Sequence, residues 1–154
     1  MTYLGTGATP LRLCYDSSDR NSCFVNYNSA GNGAAIYYGR DVQGRITYRE
    51  NDTIAAHNWT LNSQVWYDYT GAGDTADYAR DANWNIIEKY FQLPGGAELT
   101  VRPLQTTTAT KAVYSLPNVH GDTLLTTDGT GTNTSTGNGP SNAFTYDPFG
   151  IDRD

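Results

Sequence analysis

One short unit recurs along the chain and limits its folding more than any other feature. In "YYGRDVQGRITYRE", Tyr37 to Glu50, an aromatic run meets Asp41, two variable residues, Gly44, a polar residue and then a second β-prone run. The same shape is visible in "LCYDSSDRNSC", "DYARDANWNIIEKY", "LPNVHGDTLLTT" and "FTYDPFG". Its Asp or Asn falls at Asp16, Asp41, Asp81, Asn118 and Asp147, and its closing position at Asp19, Gly44, Trp84, Gly121 and Gly150. An Asp or Asn oxygen accepts backbone N–H groups across a tight turn, and Gly supplies the φ > 0 that closes it, so each unit predicts a hairpin. Exit runs such as "RITYRE" and "NIIEKYFQL" carry the β-branched and aromatic side chains that suit a pleated surface. The second could hold one helical turn, but "LPGG" follows directly, and it reads as strand.

Recurring hairpins predict an all-β fold, with antiparallel hairpin repeats forming a twisted or spiral sheet in a single domain over residues 1–154. The composition agrees: 12 Tyr and 16 Gly stand against one Met, and good helix formers are scarce. "TGAGDTADY", Thr70 to Tyr78, reads as a Gly-rich turn between strands. "DGTGTNTSTGNGPSN", Asp128 to Asn142, has almost nothing to bury and is expected to be an exposed, mobile loop. "PLQTTTATKA" reads as a shorter loop of that kind.

A net charge of −6 makes phosphate backbones and anionic lipids poor partners, so nucleic acid is not expected to bind. No run approaches the roughly 18 apolar residues of a spanning helix, and no membrane span is expected. The opening "MTYLGTGATPLRLCYD" has neither the basic nor the apolar region of a signal peptide. Cys14 and Cys23 are the only cysteines. Their spacing lets them face one another across a hairpin as a disulfide, or remain two small buried side chains.

The ordered series Tyr15–Asp16, "GRDVQGRITY", "YTGAGDTADYARDANWNIIEKYFQLPGG", "YSLPNVHGDTLLTTDGTGT" and "FTYDPFG" resembles the Rhs/YD-repeat family of large bacterial secreted and surface proteins, near the C-terminal end of the repeat region. The likeness runs from about Leu11 to Gly150. It implies a long β-sheet spiralling into a hollow shell, which in polymorphic toxin systems encloses a toxin domain, and a structural rather than catalytic role for the repeats. Family members are far longer, so the chain reads as a piece of a secreted or surface-exposed parent. Its expected partners are the rest of that parent or further copies of itself, paired through open strand edges. The family's aspartate-dependent self-cleavage site is not expected at Asp147–Pro148, which reads as another repeat turn.

Little in the sequence suggests chemistry. His120, in the variable part of a turn, could act as a base oriented by Asp122, but no nucleophile elbow accompanies them, and an exposed turn residue is the plainer reading. His57 in "AAHNW" lies beside a strand and reads as packing or surface. Carboxylate pairs such as Asp16/Asp19, Asp74/Asp77 and Asp122/Asp128 sit where turns need caps, and neither "GDTAD" nor "DGTGTN" matches a calcium loop. No cofactor or metal is expected. Trp59, Trp66 and Trp84 could form a platform for carbohydrate, although tyrosines and tryptophans in β-repeats more often pack against neighbouring strands. The leading expectation is therefore a structural repeat. A carbohydrate-binding module, or a small hydrolase built from a repeat fragment, are the alternatives.

Overall fold

The computed structural model describes residues 2–4, 11–118, 121–137 and 142–145, the first of these as backbone only. It is all-β, with eleven strands: β1 Thr2–Leu4, β2 Leu11–Tyr15, β3 Asn21–Tyr27, β4 Gly33–Arg40, β5 Ile46–Ala55, β6 Asn58–Asp68, β7 Tyr78–Arg80, β8 Ile86–Gln92, β9 Glu98–Val101, β10 Ala112–Pro117 and β11 Thr123–Asp128. The strands divide between two compact units, residues 1–85 and 86–154.

In the first unit β1 to β7 form a meander, each strand antiparallel to the next. β5 and β6, the longest, share a register from Tyr48↔Trp66 to Ala55↔Asn58. In the second unit β8, β9, β10 and β11 repeat the arrangement. The strand read at "NIIEKYFQL" is β8. "PLQTTTATKA" is not wholly loop: Thr107 accepts a backbone hydrogen bond from Thr110 and starts a one-turn helix, α1, Thr108–Lys111.

The turn unit is real and more frequent than the sequence suggested. At Asp16, Asn28, Asp41, Asp81, Asn118 and Asp128 the backbone N–H donates to the carbonyl four residues on, and the residue three positions on donates back. The Asx side chain accepts a backbone N–H from the residue four positions on in all six. The closing residues Asp19, Gly31, Gly44, Trp84, Gly121 and Gly131 all have positive φ, the pattern of a turn closed by a left-handed residue. In several copies the side chains at the two ends also join: Arg20 to Asp16 at 3.0 Å, Arg45 to Asp41 at 2.7 Å, Asn85 to Asp81 at 3.1 Å and Asn118 to Asp122 at 3.1 Å. Asp147 and Gly150 lie outside the described residues.

Asp128 therefore opens a hydrogen-bonded turn, where an exposed loop was expected. Beyond it Ser135 is buried, its hydroxyl accepting from the Thr126 N–H at 2.6 Å. Thr134 and Phe144 donate their N–H groups to Thr126 and Leu124, so the chain runs back along β11.

The core is thin. Among the described residues the buried apolar side chains are Cys23, Val25, Ala35, Ile54, Val65 and Ala79. Cys23, Val25, Ala35 and Ile54 cluster together, flanked by Cys14, Tyr27 and Tyr37. Cys14 and Cys23, directly paired across β2 and β3, form a disulfide with their Cα atoms 4.8 Å apart.

Candidate functional site

Strand alternation sorts the first unit into two faces. One carries the cluster just described, and the ladder registers extend it across β4, β5 and β6. Along β5 this face presents Tyr48, Glu50, Asp52 and Ile54, opposite Trp66, Gln64, Leu61 and Trp59. Simple alternation would put Trp59 and Trp66, seven residues apart, on opposite faces. A bulge prevents this: Asn51 pairs with Ser63 but Asp52 pairs with Leu61, leaving Asn62 as the extra residue. Its amide donates to the Thr53 hydroxyl, holding it on the other side of the strand.

Two aromatic groups result. At one end Trp59, 47% exposed, tilts against Tyr37 with ring centroids 6.3 Å apart. Beside them lies a cleft of about 250 Å³ with Tyr27, Arg12 and His57 on its walls and Val25 and Ile54 among its apolar residues. The Arg12 guanidinium stacks 4.5 Å over the Tyr27 ring, and His57 meets that ring edge-on. His57 itself belongs to the two-residue turn between β5 and β6, where both Ala56 (φ 47°) and His57 (φ 65°) are left-handed. Its N–H donates to the Gly31 carbonyl, joining two turns.

At the other end Tyr48, Trp66 and Trp84 form a ladder. Trp66 lies 5.0 Å from Tyr48 and stacks on Trp84 at 5.6 Å with 27° between planes. Trp84 occupies the closing slot of the Asp81 turn at φ 63° and is 62% exposed. Arg80, opposite Trp66 on β7, pairs with Asp68 and reaches the Trp84 carbonyl.

Between these groups lies a polar cluster that the sequence reading did not single out. The Tyr48 hydroxyl donates to Glu50, and the Gln64 amide donates to both Tyr48 and Glu50, at 2.8 and 3.0 Å. Those two donors hold the Glu50 carboxyl below its ordinary range. Burial, then the hydrogen bond to Glu50 and its charge, push the Tyr48 phenol up to about 12. Asp52 is only 8% exposed and its Oδ1 has no hydrogen-bond partner among the described residues. Burial first, and then the Glu50 charge, raise its carboxyl above the ordinary range. Period-two spacing of Tyr48, Glu50 and Asp52 within a strand was the available signal.

The other described sequence candidates serve turns. Asp122 accepts a hydrogen bond from Asn118 and completes a turn, while His120 lies outside the described residues. Asp77 accepts from the N–H and hydroxyl of Thr70, closing the Gly-rich segment as a cap, and Arg45 donates to the Gly71 and Gly73 carbonyls there. No three His, Cys, Asp or Glu side chains converge as a metal site among the described residues. Nor is any helix among them long and apolar enough to cross a membrane. No protein-family model matches the chain, and no curated protein matches it significantly.

Proposed function

We propose that the chain is a structural β-repeat segment of a larger secreted or surface protein of the Rhs/YD type, serving as scaffold or shell without catalysis of its own. The observation that carries this reading is the sixfold recurrence of one turn, built from the same backbone and side-chain hydrogen bonds, at the hairpins of both units. A repeat architecture stabilises each hairpin mainly against its neighbours. The thin core fits such a role, because a meander with six buried apolar side chains among its described residues gains from further sheet placed against it.

The test is the molar mass in solution, by light scattering on a gel-filtration peak. A defined oligomer supports a segment that completes its sheet with further copies. A cooperatively folding monomer tells against the scaffold reading, since the chain would then satisfy its own edges and core.

A further inference from the structure

Independently of the scaffold role, we infer that Cys14 is a site of thiol–disulfide exchange, reached through the cleft beside Arg12 by small thiols that carry a carboxylate.

The two sulfurs of the Cys14–Cys23 bond are unequally placed. Cys23 is 1% exposed and sits among Val25, Ala35 and Ile54. Cys14, directly opposite it on β2, is only partly buried and stands on the wall of the 250 Å³ cleft, which Cys23 does not line. Exchange requires a thiolate to reach the sulfur that it attacks. The cleft gives that access to one sulfur of the pair.

Charge favours the ionised nucleophile there. The chain carries a net −6, yet the described residues lining this cleft include Arg12 and no carboxylate. Arg12 precedes Cys14 by two residues on β2 and so shares its face, with its guanidinium stacked over the Tyr27 ring. A fixed cation at this point draws in both a thiolate and a carboxylate on the same small molecule. The His57 imidazole, edge-on to the same ring, offers that carboxylate a hydrogen-bonding partner.

In the exchange the incoming thiolate attacks Cys14 Sγ. A bond forms between these two sulfurs as the Cys14–Cys23 bond breaks, and the electron pair leaves on Cys23 Sγ, which takes a proton from water. The incoming sulfur is oxidised and Cys23 is reduced, so the electrons balance. The product carries a mixed disulfide on Cys14 and a thiol at Cys23. β2 and β3 lose one covalent tie but keep their ladder from Leu11↔Asn26 to Tyr15↔Asn21.

The experiment exposes the oxidised full chain to glutathione, mercaptoacetate and cysteamine at equal thiolate concentration, quenches with acid and locates adducts by peptide mass spectrometry. Each rate is divided by that of the same thiol on a small neutral disulfide, which removes differences in intrinsic nucleophilicity. Cys14 should carry about ten times more adduct than Cys23, since access decides which sulfur is attacked. The two acidic thiols should react about threefold or more faster than cationic cysteamine, a preference that about 1 M salt should erase by screening. Arg12→Gln should abolish the preference, whereas Arg12→Lys, which keeps the charge, should retain it. Adduct mainly on Cys23, or no adduct from any of the three thiols, overturns the proposal. So does cysteamine matching the acidic thiols at low salt, or a preference that survives Arg12→Gln unchanged.

Discussion

The closing slot of the repeated turn allows backbone strain and steric obstruction to be measured separately. Gly44 and Gly31 sit in that slot within the same unit, at φ 90° and 74°. A Cβ at position 44 would approach a terminal nitrogen of Arg20 at 2.6 Å, but that is the far end of a long side chain held on Asp16 only through its Nε, and it can shift aside. At position 31 it would stand 2.7 Å from the His57 backbone nitrogen and also from two ring atoms. The His57 nitrogen cannot retreat without breaking its hydrogen bond to Gly31. Gly44→Ala should therefore cost the left-handed penalty less the reduced freedom of the unfolded chain, about 1 kcal/mol. Gly31→Ala should add an overpacking cost of about 1–3 kcal/mol, for a total of about 2–4 kcal/mol. Gly121→Ala, with nothing within 4 Å of its Cβ, gives the strain alone in the second unit and should match Gly44→Ala. Urea unfolding of the three variants provides the comparison. Equal losses at positions 31 and 44 would refute the close approach of the Gly31 and Ala56–His57 turns.

Three further outcomes are expected. Asp52→Asn should stabilise the protein at neutral pH. The folded carboxyl titrates above its unfolded value near 3.8, so the cost of ionising it sets in above pH 3.8 and is complete above the raised value. The advantage of the variant should vanish below pH 3.8, and a constant difference in urea midpoint between pH 7 and pH 3 would contradict the burial of this group. Reducing the Cys14–Cys23 bond should lower stability by up to about 2–3 kcal/mol, the loop-closure estimate for a separation of 9; an unchanged melt with and without reductant would show the bond contributes nothing. Ala56→Asn should raise stability by about 0.5–1 kcal/mol, because Asn tolerates the left-handed first position of a two-residue hairpin turn better than Ala does. A loss in the thermal melt would argue against that turn type.

The hairpins were legible where an Asx, with Gly closing the turn at Asp41 and Asn118, punctuates aromatic and β-branched runs, as at Asp16, Asp41, Asp81 and Asn118. The copy at Asn28 has the same spacing, in "NSAGN", but the small residues "GNGAA" that follow lack the side chains that mark a strand. The copy at Asp128 was hidden inside a Gly/Thr/Asn stretch whose composition reads as disorder. The Ala56–His57 turn carries none of the residues its geometry favours, so only the structure shows it. The three tryptophans were legible as candidates, but not as sharing one face. Alternation separates Trp59 from Trp66, and the bulge at Asn62 that returns them to the same face leaves no mark in residue type.

The meander has a kinetic consequence. Within each unit every described pairing joins strands adjacent in sequence, and no strand waits for a distant partner. Loop-closure entropy is low at each step, so the sheet can grow hairpin by hairpin from any of its turns, faster than sandwiches whose strands cross between layers. Growth by addition also means that one more Asx-capped hairpin would extend the sheet without rearranging what is already built.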